Sequence, residues 1–256
     1  MLEGLYAGAL GDAAKRAETV SVSDLENSIA KQAPAIDALI AFAPRANVHV
    51  LAEVKRASPS RGDLALIANP MALAKTYEAA GATGISVLTE ERKFKGSLSD
   101  LSAVRSEVGV PLLRKDFIAN EYQLLEARAH GADIFLLIVA GLAQADLVRL
   151  KAFGEALGMT AFVETHDEAE LLRALEAGSK FVGVNARDLS TFETDRNLFA
   201  SLAHHIPEGV IKVAESAVRS FEDVKHYRAA GADVVLVGEA LVTGDPAALL
   251  NEFLTV

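Results

Sequence analysis

Along this chain, short continuous runs of apolar residues alternate with longer stretches in which apolar residues recur every three or four positions. The first pattern suits strands buried on both faces, and the second suits amphipathic helices. Four segments repeat one junction, a helical stretch closed by glycine and followed at once by an apolar run: AAGATGISVLTE, AHGADIFLLIV, EAGSKFVGVN and AAGADVVLVGE. Their glycines are Gly81, Gly131, Gly178 and Gly231. A helix often ends in a left-handed residue, a conformation glycine enters without the steric cost a Cβ imposes. Adding similar runs that lack the glycine predicts eight strands, at 48–55, 84–89, 111–115, 133–139, 159–164, 180–185, 210–215 and 233–238. Helix starts between them carry capping signals at Asn69-Pro70, Thr165 with Glu168, Ser220 with Glu222-Asp223, and Asp245-Pro246.

Strand and helix alternate, so the sheet is parallel, and eight such units in about 210 residues suit a closed (β/α)8 TIM barrel of the α/β class. The rival is an open doubly wound sheet, which often shows G-x-G-x-x-G after its first strand; here that strand runs into KRASPSRG. The expected organisation is a single domain over 1–256, with residues 48–256 forming the barrel and 1–47 an N-terminal helical extension. Two helices are expected in the extension, one with apolar Leu2, Leu5, Tyr6, Ala9, Leu10 and Ala13, the other opened by a Ser23–Glu26 capping box. The extension reads either as a plug beside the barrel or as a lid over its site.

Composition narrows the chemistry. Of 256 residues 51% are hydrophobic, enough for a sizeable core, yet no run approaches the roughly 18 apolar residues of a membrane span. The first helix carries Glu3, Asp12, Lys15 and Arg16 where a secretory signal would not, so a cytoplasmic protein with no membrane partner is expected. With no cysteine, disulfides, thiolate nucleophiles and zinc-thiolate sites are excluded. A formal net charge of −10 argues against a nucleic-acid partner, which needs clustered cations. Any small anionic ligand must find a local island of positive charge.

In a barrel of this kind catalytic groups stand at the carboxyl ends of the strands. The first strand ends in Glu53 and Lys55, which share parity and point into the mouth; the third ends in Lys115, the fifth in Glu164, the sixth in Asn185 and the seventh in Glu215-Ser216. Taken singly, each could be an ordinary ion pair or a solvated strand end. Together they are costly to assemble without a polar ligand, because Lys and Glu are rarely buried unpaired. The two lysines supply the positive island, and the free amides of a short helix at Gly238-Glu239-Ala240-Leu241, facing Ser216-Ala217, suit a phosphate.

The stretch LAEVKRASPSRGDLA (51–65) resembles the signature of the indole-3-glycerol-phosphate synthase family. SVLTEERKFKGS, LLRKDFI, FVETHDEAE, VGVNARDL, VAES and LVGEAL follow in order and are similar to further family segments, from about residue 48 to the end, and the helical extension is similar too. The resemblance implies ring closure, decarboxylation and dehydration of 1-(2-carboxyphenylamino)-1-deoxyribulose 5-phosphate, without metal or organic cofactor. It also implies Lys115 as general acid, Glu164 and Lys55 as the groups serving dehydration, Glu53 holding Lys55, and Asn185 and Glu215 binding hydroxyls. Substrate contacts carry over to Ser58, Phe94, Phe117, Arg187 and Leu189, with the two phenylalanines walling the anthranilate ring. The KRASPSRGD and TEERKFKGS loops read as mobile covers. The phosphate falls to Lys55, Ser216, Ala217, Gly238 and Glu239, and a monomer is expected. One departure stands out: the family's AESG segment has Ala217 in place of its glycine, costly if that residue needs positive φ.

Of six histidines only His166 lies near a strand end, and no H-x-x-x-H spacing or paired carboxylates accompany them. All six are read as structural or surface residues. Three rivals were weighed. A phosphoribosylanthranilate isomerase would need a cysteine base on strand one, where Glu53 stands. A Schiff-base aldolase would want its lysine near strand six, where Asn185 stands. A noncatalytic phosphometabolite-binding barrel would not need Lys115 and Glu164.

Overall fold

The computed structural model describes residues 2–188 and 191–256. Eight parallel strands close on themselves in chain order: β1 (His49–Val54), β4 (Gly84–Leu88), β5 (Leu112–Lys115), β6 (Ile134–Ile138), β7 (Thr160–Thr165), β8 (Phe181–Asn185), β9 (Ile211–Glu215) and β10 (Val234–Val237). The chain is a (β/α)8 barrel, and the open-sheet alternative falls, because β1 pairs with both β4 and β10 and leaves no edge. Each predicted strand is observed within a residue or two. A small antiparallel hairpin, β2 (Ala57–Ser58) and β3 (Gly62–Asp63), sits in the first βα loop.

Helices α4 (Pro70–Ala79), α5 (Leu98–Arg105), α6 (Glu121–Ala129), α7 (Gln144–Ala156), α8 (Glu168–Glu176), α9 (Leu198–Leu202) and α10 (Phe221–Ala229) fill the first seven connections, and α11 (Glu239–Thr243) and α12 (Pro246–Phe253) follow β10. The four junction glycines adopt φ between +73° and +95°, the left-handed turn their position requires. Asn69, Ser220 and Asp245 cap helices as expected. Thr165 does not: it is the last residue of β7, its hydroxyl donates to the Gly183 carbonyl, and Asp167 caps α8 instead.

The extension holds three helices, α1 (Leu2–Ala17), α2 (Val22–Ile29) and the single turn α3 (Ala38–Ala41). Its capping box is Ser21 with Asp24. The extension touches both ends of the barrel. Leu2 and Leu5 of α1 line the mouth, and the Tyr6 ring stands edge-on to Phe117 at 5.6 Å. Phe42, just after α3, is fully buried against His49 and Phe181 at the opposite, amino-terminal end of the strands.

Inside the ring, Phe162 and Phe181 stack 5.0 Å apart as an apolar layer. A Cβ at Gly183 would strike the Phe162 ring and Glu215 Oε1, so glycine makes room where the aromatic layer meets the charged one above it.

Candidate active site

The polar strand ends converge on one pocket. Glu53, Lys55, Lys115, Glu164, Asn185, Glu215 and Ser216 all line it, as do Ser58, Phe94, Phe117, Arg187, Ala217, Gly238 and Glu239. Leu189 lies outside the described residues. The gathering follows from strand pairing: Glu164 sits opposite Gly183, and Asn185 opposite Glu215. Residues remote in sequence thereby come within hydrogen-bond reach.

Lys115 is the hub. Its Nζ donates to Glu164 Oε2 at 2.9 Å and to Glu215 Oε2 at 3.2 Å. Burial lowers its pKa, but Glu164, Glu215 and Glu53 outweigh burial and raise it well above the ordinary lysine value. The ammonium is therefore charged at any working pH.

The two carboxylates at Lys115 differ. Glu164 is buried, which favours its neutral form, yet Lys115, His166 and Asn185 hold its pKa well below the usual carboxylate range. Asn185 Nδ2 donates to Glu164 Oε1 at 2.9 Å. Glu215 has Lys115 as its one stabilising partner; burial first, and the adjoining negative Glu164 second, push it up to about 8. Neighbouring carboxyl groups driven in opposite directions are a recurring arrangement in acid–base sites.

A second ion pair stands beside the first. Lys55 Nζ lies 2.6 Å from Glu53 Oε1, as the shared parity of β1 predicts. Gly238 presses against both: a Cβ there would collide with the Glu53 carboxylate and come within 3.0 Å of Lys55 Nζ. Ser216 Oγ donates to Asn185 Oδ1 at 2.8 Å, and the Ser216 carbonyl accepts from Tyr227.

Ser216 and Ala217 both have positive φ, 68° and 56°. Two consecutive non-glycine residues in the left-handed region store strain, and they do so on the pocket wall. Gly238 caps α11 and lines the same pocket as this turn. The Glu239 carboxylate is engaged elsewhere, accepting from Arg61 at 2.7 and 3.1 Å, so only its backbone amide is free to meet an anion.

The apolar wall is formed by Phe94 and Phe117, whose rings lie 6.1 Å apart, with Leu88, Leu136 and Ile138 behind. The loop bearing Phe94 is fastened from within, because the buried Glu90 carboxylate accepts the backbone N–H groups of Arg92, Lys93 and Phe94 at 3.1, 2.7 and 2.9 Å. Sequence reading missed this anchor and also Arg219, another lining residue. It also set His166 aside. The structure places that ring against Glu164, a proximity that the spacing Glu164-x-His166, two residues apart at a strand end, could have signalled.

The fold recurs widely. N-acetylmannosamine-6-phosphate 2-epimerase from Clostridium perfringens superposes with a TM-score of 0.63 at 13% identity, covering 87% of this chain and 98% of that one. At such identity the likeness speaks for the fold alone. Sequence comparison is more specific. An indole-3-glycerol phosphate synthase of Leifsonia xyli subsp. xyli is 61% identical over 253 residues, 99% of this chain and 97% of that protein. One of Parafrankia sp. is 55% identical over 256 residues, 99% and 95% of the two chains. The indole-3-glycerol phosphate synthase family profile matches residues 2–253, and with the barrel and its charged mouth in place the chain belongs to that family.

Proposed function

We propose that this pocket closes the indole ring of 1-(2-carboxyphenylamino)-1-deoxyribulose 5-phosphate, releasing carbon dioxide and water to give indole-3-glycerol phosphate. The observation that carries the reading is the triangle of Lys115, Glu164 and Glu215 at the end of an apolar slot. The anthranilate ring lies between Phe94 and Phe117, and the phosphate meets Lys55, Arg187 and the amides of Ser216, Ala217, Gly238 and Glu239. Extended between these anchors, the substrate brings its ketone oxygen to Lys115.

When the aryl carbon attacks that ketone, negative charge develops on its oxygen. An ammonium with a raised pKa keeps its proton against water and releases it to a developing alkoxide, so Lys115 is stabiliser first and acid second. Loss of the carboxylate then leaves an alcohol that must depart. Glu164, held ionised, takes the proton that restores aromaticity, and Lys55, oriented by Glu53, serves the departing hydroxyl. Asn185 and Glu215 hold the sugar hydroxyls. Leu189 is carried with the substrate contacts by family resemblance.

The test is incubation of the purified protein with the anilino-deoxyribulose phosphate, following indole fluorescence and released carbon dioxide together. Indole-3-glycerol phosphate and carbon dioxide in equal amounts are expected. Ligand binding without either product would overturn the reading in favour of a binding barrel.

A further inference from the structure

His166, mostly buried beside Glu164, is a titratable group that the mechanism leaves unused. Its side chain stands between two carboxylates: Nδ1 is 3.0 Å from Glu170 Oε2 on α8, and Nε2 is 3.2 Å from Glu164 Oε1 on β7. The Glu170 oxygen also accepts the His166 backbone N–H at 2.9 Å, so the ring is clamped from two directions. Nδ1–H donates to Glu170, while Nε2 makes no aligned hydrogen bond and lies close to the Glu164 carboxylate, so a proton on Nε2 places a cation directly beside that carboxylate.

The consequence reaches Lys115. One ammonium faces two buried carboxylates, and ionising both in so dry a place is costly, so near neutral pH they compete for one proton. By contact the two are unequal: Glu164 meets Lys115, Asn185 and His166, whereas Glu215 meets one cation, Lys115, and otherwise faces Glu164 itself. We propose that His166 is a positioning residue that selects which carboxylate keeps the shared proton, leaving Glu164 ionised as base and Glu215 neutral.

Charged and titratable neighbours on every side fit this assignment. Glu164 and Glu170 raise the imidazole to about 10 against the opposing cost of burial. Tyr6 on α1 faces the same carboxylates and is driven upward first by burial and then by Glu164, so it remains a neutral phenol. Lys115 on β5 and Glu215 on β9 complete the circle. The proposal rests on Glu164 acting as the base.

The ratio of kcat for His166→Gln to that of the unaltered enzyme, taken from pH 9 to pH 6, reads the effect, since titration of the substrate phosphate cancels in the ratio. Above pH 8 both carboxylates are ionised; below it, without the imidazolium, the shared proton reaches Glu164. The ratio should fall by about tenfold on acidification, the equivalent of one unit in the relative acidity of the two carboxyls. His166→Lys, which restores the charge, should hold the ratio level. A flat ratio for His166→Gln, or His166→Lys falling in parallel with it, would overturn the proposal. Independently of folding or turnover in any variant, 15N-histidine spectra of the unaltered enzyme at pH 8 should show one of the six imidazoles protonated on both nitrogens. Six neutral rings would refute the proposal even if indole-3-glycerol phosphate forms normally, and absence of that product would refute the functional reading while leaving the spectra to stand.

Discussion

Arg114 and Lys115 are consecutive on β5, and they anchor two buried charge clusters of opposite character. Arg114 points out of the barrel and is fully buried; it donates to Thr89, the Gln123 carbonyl, Asp116 and Glu126, and Arg16 from α1 closes Glu126 with a bidentate pair at 2.5 and 2.9 Å. Two cations meet two carboxylates there, and their polar atoms are paired. Lys115 points inward, where matching is poor. Among the described residues six buried side-chain nitrogen or oxygen atoms lack a hydrogen-bond partner, and three of them, Glu53 Oε1, His166 Nε2 and Glu215 Oε1, stand at the mouth. The outer cluster is a finished structural joint. The inner one keeps hydrogen-bonding capacity that a ligand can complete, at a cost to the folded state.

The largest effect separates the two residues. Lys115→Met should lower kcat by about 10³-fold, within the usual range for a general acid, while leaving KM within a few-fold. Arg114→Met should do the reverse. It strands Asp116 beside a half-compensated Glu126, and a loss of about 3 kcal/mol is expected in chemical denaturation, with kcat per folded molecule within a few-fold of normal. If Arg114→Met impaired kcat as severely as Lys115→Met, the division into joint and working site would be wrong.

Glu164→Gln tests the inner cluster alone. About 10²-fold loss in kcat is expected, and unaltered kcat would remove Glu164 from the chemistry. Glu215 makes a stability prediction. Its folded value near 8 lies above its ordinary 4.5, so the folded state binds the extra proton and stability falls as pH rises between those values. Glu215→Gln should flatten that decline in denaturation curves taken from pH 5 to pH 8. The smallest effect belongs to the strained turn: Ala217→Gly should stabilise the protein by about 0.5–1 kcal/mol by relieving positive φ. A loss of stability on that change would mean that the turn is not strained at Ala217.

Much of the site was legible because a closed parallel barrel converts a linear rule into a spatial one. Once strands end at Lys55, Lys115, Glu164, Asn185 and Glu215, closure alone brings those positions to one rim. Glu53 with Lys55 followed from parity, and the positive φ that would make Ala217 costly is observed. Glu90 was not legible, since its partners are backbone amides that any residues would present. Arg114 carried no sequence signal of its own, and its outward cluster emerges only because strand pleat sends it to the face opposite Lys115.

The amino-acid order by itself determined the eight-fold alternation, the left-handed helix ends, the polar rim and the family, because each depends on local pattern and residue type. Only the tertiary structure decided how charge is shared within the rim. That sharing depends on distances of about 3 Å between strands far apart in sequence, in a buried setting where one extra contact, such as His166 on Glu164, changes which group stays ionised.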